Sequence, residues 1–502
     1  MHALMPESRE IRITQKPGRV KTDSLSAIDQ LLVILPERPK AADWRSIPQG
    51  TRLQALLKKR PKGDVPALET RLPNKRQTLV VAGRIATNAD TFEQLTLARK
   101  LVAAATSEKA GCLGVLVVGF GNGTQHALIR ALCAAALAAG FNLPRFKDKP
   151  APAKIRSIRV LGIDGHIDLK RTVAEANGNN LARWLTVLPP NKLDAVNYGD
   201  ILKDLAKERG WGIKQFKTKE LEKLGAGAFL AVAQGNDNDS ASIVRLRYRP
   251  GANNAPPELS LVGKGIIFDT GGTNLKPFTS MLGMHGDMQG SAVALGTLLT
   301  IAELELPIAV DCWLAITENR TGPSAYKSQD VVTAANGMTI QTIHTDAEGR
   351  MALADTLVFA SRDKPKLIVD YATLTGAVIN ALTTRYSGVF TNRSEWHPRL
   401  KRAGRECGER VWPFPIGKEF LADIKSDVAD IQQCSANPTA DHILAGSFLA
   451  EFIENDTPWV HVDLAASNHK GGLAHVPTEI TGFGVRYTLS LLLDDNILQA
   501  DD

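Results

Sequence analysis

The run His344-Thr345-Asp346-Ala347-Glu348-Gly349-Arg350 sets two carboxylates and a guanidinium on alternate residues. In an extended segment, side chains at i, i+2 and i+4 share a face, so Asp346, Glu348 and Arg350 are expected to converge. Two acids held that close repel unless a cation lies between them. A second acidic cluster lies upstream. Gly263-Lys264-Gly265-Ile266-Ile267-Phe268-Asp269-Thr270-Gly271-Gly272 is followed by Lys276 and then Asp287. Four carboxylates and two lysines so arranged point to a metal-dependent hydrolase centre.

The donor types narrow the metal. Asp269, Asp287, Asp346 and Glu348 supply carboxylate oxygens and no thiolate, which favours Mn²⁺, Mg²⁺ or Zn²⁺ over soft-ligand metals. Four acids on one dication would leave surplus negative charge, so two ions are the more economical arrangement, with Asp269 and Glu348 as natural bridges. Two ions about 3.5–4 Å apart can clamp a water and bring its pKa towards neutrality. Lys264, ahead of Gly265, either stays protonated as an ion-pair partner or binds metal as the neutral amine, because a dication reverses the local pKa argument. Lys276 is a cation suited to a developing oxyanion. Arg350 suits a carboxylate-like anion. Any one of these residues alone would more simply be a surface salt bridge. Here they stand among apolar strands and glycines, where surface charges rarely sit.

Positioning them requires a large framework. At 502 residues, 44% hydrophobic and 23% charged, the chain is ordinary globular material for two or three domains. The expected fold is α/β, with a smaller N-terminal α/β (macro-like) domain over 1–166, a linker helix over 167–190 and a larger catalytic α/β domain with a mixed central sheet over 191–502. Thr78–Ala82 and Gly114–Val118 read as buried strands, each before a helical pattern (Phe92–Ala104 and His126–Ala139), and 155–163 adds another strand. The amphipathic helix from Asp168 to Leu188 ends at Pro189-Pro190 and is expected to act as a spacer. Beyond it, strands are expected at Ser242–Arg247, Leu259–Val262, Ala309–Ala315, Leu367–Tyr371 and Trp459–Leu464. Helices are expected at Ser291–Ala302, Arg350–Ala360 and Ala440–Phe452. The acidic motifs then follow strands and precede helices, where open α/β sheets form their crevices.

Other classes are disfavoured. The net charge of +7 is modest, and the densest basic run, Lys58-Lys59-Arg60-Pro61-Lys62, lacks interleaved aromatics. A solvated loop is the simpler reading, and a DNA-binding regulatory role of the basic N-terminal domain is kept as the alternative. Gly119-Phe120-Gly121-Asn122-Gly123 departs from dinucleotide-loop spacing and reads as a tight turn. Five separated cysteines with no CxxC pair argue against a disulfide framework or a thiolate zinc site. Early charges argue against a signal peptide, and no apolar run reaches spanning length, so a reduced cytoplasmic setting with no membrane partner is expected.

The motifs Val262–Gly265, Asp269–Gly272, Lys276-Pro277, Asp287-Met288, Thr345–Arg350 and Ala372–Ala377 resemble the leucyl (cytosol) aminopeptidase family. Asn319, Ala325–Lys327, Ser426–Asp430 and Thr481–Arg486 add to the likeness, which spans about residues 170 to 490. The resemblance implies an aminopeptidase that releases single N-terminal residues, with leucine-type preference, through a hydroxide shared by two divalent metals. One metal would be held by Asp269, Asp346 and Glu348, the other by Lys264, Asp269, Asp287 and Glu348. Lys276 would polarise the scissile carbonyl, and Arg350 would anchor a bicarbonate general base. Met284, Thr373, Leu374 and Gly376 would line the first side-chain pocket. Peptides would be the substrates, and a homohexamer with sites facing an internal cavity the assembly. Departures from the usual pattern are His344 for Asn, Thr270 for Ser, and Gln289 and Ser291 for smaller residues. His344 could add a metal ligand or a partner to one, but a packed, hydrogen-bonded side chain is the simpler expectation, and His285, two residues before Asp287, raises the same question.

Overall fold

Aliphatic and β-branched runs alternate with helical patterns along the chain, and the computed structural model gathers them into two large sheets. It describes all residues except 1–3, 7–9, 19, 21–24, 60–66, 109–110, 148–154, 237–239, 252–254, 438 and 500–502. The Arg60-Pro61-Lys62 part of the basic run therefore lies outside the described residues.

The first sheet has six strands in the spatial order 12–17, 157–163, 112–117, 30–36, 79–85 and 68–71. All neighbours pair in parallel except the last, which runs antiparallel to its neighbour. Helices Thr91–Ala105 and Asn122–Gly140 cover it. The first begins in a capping box: Asp90 accepts the Glu93 amide, and Glu93 accepts the Asp90 amide in return. Gly119, at φ +84°, turns the chain before the second, as the tight-turn reading expects.

The second sheet has eight strands in the order 411–413, 387–391, 459–463, 367–372, 259–269, 310–319, 242–248 and 212–217. Its four central strands, from 459–463 to 310–319, are mutually parallel, and antiparallel pairs appear outside them. The sheet is mixed, as expected. Strands Leu259–Asp269 and Val310–Asn319 both run past their expected ends. Gly263, Lys264 and Gly265 break the apolar run in the sequence, yet all three stay laddered to strand 310–319, Gly263 to strand 367–372 as well, and pairing overrides composition there.

Strand 259–269 leads through helix Gln289–Glu303 to the strand on one side of it. That strand leads through helix Glu348–Arg362 to the strand on the other side, 367–372. The two helices lie on opposite faces of the sheet. Leu259 and Leu261 pack with Val293 and Leu295 of the first helix, while Val262 and Ile266 pack with Met351 and Leu353 of the second. The order of strands reverses at 259–269, and such a switch point opens a crevice beyond the strands' carboxyl ends. The first helix approaches closely: a Cβ on Gly290 would lie 2.1 Å from the Tyr371 carbonyl oxygen.

Helix Lys170–Val187, expected as a spacer, is embedded instead. Leu181 and Leu185 join the core of the second sheet, while Ala176 joins that of the first. It meets helix 289–303 backbone to backbone, since a Cβ on Gly178 would fall 2.2 Å from the Gly296 oxygen. Among the described residues, all five cysteines are free and no helix is long and apolar enough to cross a membrane.

Candidate metal centre

Strand 259–269 delivers Lys264 from its middle and Asp269 from its carboxyl end, both almost fully buried. The chain then turns back at Gly271, whose φ of +87° is a backbone state that favours glycine. That turn brings Lys276 over the site. Asp287 follows a short 3-10 turn, Met284–Gly286, just before helix 289–303. Asp346 lies in a turn, and Glu348 opens helix 348–362. The extended geometry expected for Asp346, Glu348 and Arg350 is therefore corrected, because the chain enters a helix at Glu348. Asp346 and Glu348 still converge, whereas Arg350 turns towards a different set of partners.

Asp269, Asp346 and Glu348 each present an oxygen such that the three atoms lie within 4.8 Å of one another. Lys264 Nζ is 2.8 Å from Asp287 Oδ2 and 2.9 Å from Glu348 Oε1, and it donates to the Thr373 carbonyl at 3.0 Å. Lys276 Nζ is 2.9 Å from Asp269 Oδ2 and 2.5 Å from Asp346 Oδ1. Both lysines bridge acids as protonated partners. Burial works against the Lys264 charge, but Asp287, Glu348 and Asp269 outweigh it and hold the ammonium above its usual range. Lys276 is raised in the same way, with Asp269 first among its acids.

The acids show the opposite strain. Burial, then the neighbouring Asp269 charge, pushes Glu348 up to about 8. Burial lifts Asp287 to about 6 against the pull of Lys264, and it raises Asp346 as well. Glu348 Oε2 is buried and has no hydrogen-bond partner among the described residues. Buried carboxylate oxygens are normally satisfied, so this one calls for a cation. Hard oxygen donors, an orphaned carboxylate oxygen and acids that resist ionising together fit divalent metal.

A shell of neutral groups holds the acids in place. Asp269 Oδ1 accepts from Asn319 Nδ2 and from the Gly271 amide, both at 2.8 Å. Asn319 and the Tyr326 hydroxyl also donate to the Thr345 carbonyl, fixing the turn before Asp346. Thr373 Oγ1 donates to Asp287 Oδ1 at 2.7 Å. The buried Asp463 secures the following loop, accepting from the Leu374 and Thr375 amides and from Thr375 Oγ1. Met284, Thr373 and Leu374 are half-buried, and a Cβ on Gly376 would meet nothing within 4 Å.

His344 lies outside the acid group. It is exposed, and its Nδ1 accepts the Asp346 amide at 3.3 Å. Arg350 is buried, and its Nη2 donates to both Asp441 oxygens, at 2.9 and 2.8 Å. Its Nη1 donates to the Gln433 carbonyl at 3.2 Å. A carboxylate of the chain thus already holds the Nη2 end of this guanidinium, and Nε has no partner among the described residues. Asp441, Gln433 and Asp463 were not singled out from sequence. Each lies about 80 residues or more from its partner, and only the topology brings them together.

Residues 180–489 match the cytosol aminopeptidase family, catalytic domain. A probable cytosol aminopeptidase of Roseiflexus castenholzii is 33% identical over 510 residues, covering 96% of this chain and 99% of that one. Other bacterial proteins of the same description align over 61% to 86% of their own length. A mutant of tomato leucine aminopeptidase shares the fold at a TM-score of 0.85 and 24% identity, with 98% of each chain covered. The bottromycin maturation enzyme BotP in complex with Mn superposes with a TM-score of 0.78 at 28% identity, over 93% of this chain and 99% of that one. With that match laid over the acids just described, the chain belongs to the cytosol aminopeptidase family of peptide hydrolases.

Proposed function

We propose that this protein is a dinuclear metal-dependent aminopeptidase that removes one residue at a time from the amino end of peptides, with a preference for leucine-type side chains. The observation that carries the reading is the convergence of Asp269, Asp346 and Glu348 together with a buried Glu348 oxygen that has no partner among the described residues. Family membership and the manganese complex of a structural neighbour support it. Asp269, Asp346 and Glu348 would hold one divalent ion, Mn²⁺, Zn²⁺ or Mg²⁺. Lys264, Asp287, Asp269 and Glu348 would hold a second, with Lys264 giving up its proton.

When bound, such ions supply Lewis-acid activation of water and of the amide carbonyl. The rest falls to the chain. Lys276, a cation held between Asp269 and Asp346, would lend positive charge to the developing oxyanion. Thr373, tied to Asp287, and the loop held by Asp463 would carry the pocket for the first side chain, which Met284 and Leu374 make apolar. An open Gly376 leaves that pocket room for a branched aliphatic group. Bicarbonate is given no step, because Arg350 is already engaged by Asp441. A homohexameric, cytoplasmic enzyme belongs to the same proposal, and mass measurement in solution checks the assembly.

The deciding experiment is hydrolysis of leucyl amide before and after chelation. Activity should vanish with metal removal and return with Mn²⁺ or Zn²⁺, while N-acetyl-leucyl amide should stay intact. Hydrolysis that survives complete metal removal would refute the proposal.

A further inference from the structure

Arg350 lies in the first turn of the helix that Glu348 opens, on a different side of it, and its partner Gln433 is bonded to the turn that carries Asp346. Its side chain is 2% exposed, and three hydrogen bonds to the chain engage its two terminal nitrogens. Nη2 reaches both oxygens of Asp441, Nη1 reaches the Gln433 carbonyl, and only Nε has no partner among the described residues. Asp441 is the first residue of helix Asp441–Ala450, and its side chain is 25% exposed. Gln433 and Asp441 thus bring a carbonyl and a carboxylate together onto one buried cation. Gln433 is itself anchored to the site, since its side chain donates to the Ala347 carbonyl and accepts the His344 amide.

We propose that Asp441 is a built-in carboxylate at the anion position of Arg350, so that hydrolysis by this chain requires no dissolved carbonate or carboxylate. The inference rests on the aminopeptidase reading above. A group tethered by the fold competes at an effective concentration no millimolar solute readily matches. Displacing it would also expose a second charge to be solvated or neutralised. Asp441 acts through Arg350 and is a positioning residue. It keeps the guanidinium neutralised and fixed against Gln433, which is bonded to the turn that carries Asp346. Removing its carboxylate should uncover a buried cation with a space beside it shaped for a small planar anion.

The test uses the full-length, metal-loaded protein and its Asp441→Ala and Asp441→Asn variants in carbonate-free buffer. Sodium formate and sodium bicarbonate are the probes, with chloride at equal ionic strength as control. For the unsubstituted protein, kcat/KM should change less than twofold with either probe. Asp441→Ala should lose at least tenfold in kcat and regain most of it saturably with formate. Calorimetry, which does not depend on turnover, should detect formate binding to Asp441→Ala and none to the unsubstituted protein. Should Asp441→Ala fail to fold, the isosteric Asp441→Asn carries the same calorimetric and kinetic comparison.

A several-fold rise in the unsubstituted protein's rate with bicarbonate would overturn the proposal. Formate binding equally to variant and parent would overturn it too, as would a variant that binds no formate. If the metal-loaded protein hydrolyses no aminoacyl amide at all, the aminopeptidase reading falls. The calorimetric comparison still decides who occupies Arg350.

Discussion

Gly349→Ala separates helix propensity from the geometry of the site. Gly349 lies in the first turn of helix 348–362, where replacing glycine by alanine would ordinarily stabilise by up to about 1 kcal/mol. Here the new Cβ would lie 2.6 Å from Lys264 Cε and 2.8 Å from its Nζ. Both are closer than atoms tolerate, so the lysine must move, and as the end of a flexible side chain it can. In moving it abandons Asp287 and Glu348, which are 6% and 1% exposed. Leaving a buried charge without its partner costs about 3–5 kcal/mol, so the metal-free variant should be less stable by roughly 2–4 kcal/mol. Thermal unfolding under chelator measures that loss. A calorimetric Mn²⁺ titration should show affinity at least tenfold weaker, because a proposed ligand has been displaced. An alanine variant that melts with the parent and binds manganese equally well would show that Lys264 is not wedged between this helix turn and the acids.

Glu348→Gln keeps the shape of the side chain but removes the charge at the partnerless oxygen; it should lose metal by at least tenfold, and activity with it, as atomic absorption after desalting and a rate assay would show. Lys276→Met should retain its metal yet lose about 10²–10³-fold in kcat, since its charge is needed when the oxyanion forms; loss of metal instead would mean the two lysines do not divide the work as argued. Asp463→Ala strips acceptors from the Leu374 and Thr375 amides and should raise KM for leucyl amide more than it lowers kcat, which steady-state kinetics would separate. Burial pushes the Glu409 carboxyl up to about 7 from a usual 4.5, so the folded state holds its proton more tightly than the unfolded one. The stability it lends is therefore present below about pH 4.5 and is lost as pH rises through 7. Glu409→Gln, which can still accept from Gly484 and Tyr487, should flatten that decline in unfolding midpoints measured from pH 5 to 8.

Much of the centre was legible in the chain because its ligands come as dense local motifs. Asp346 and Glu348 stand two apart, and Lys264, Asp269 and Lys276 fall within one strand and its turn. Elements with largely apolar patterns, such as 367–372 and 289–303, are likewise readable to within a few residues. The local conformation at 346–350 was not, because alternate spacing of charged residues suits an extended strand and a helix start alike. Only the packing of Met351 and Leu353 against the sheet selects the helix. Asp441 could not be read from sequence at all: it opens an otherwise apolar helix, where an acid near the amino end looks like routine dipole compensation. The embedded helix 170–187 was misjudged for a related reason, since its amphipathic pattern shows that one side is covered but not by how many partners.

That helix has a further consequence. At Gly178 and Gly296 two rods touch with only the Thr300 hydroxyl beside the contact, where it donates to the Ala174 carbonyl across the joint, and the second rod begins beside Asp287. The same helix sets Ala176 in the core of the amino-terminal sheet, so one close-packed rod links that sheet to a helix that starts at the rim of the crevice. The first third of the chain is thus less a detachable lid than the footing on which the spacing of the cation-binding acids is set.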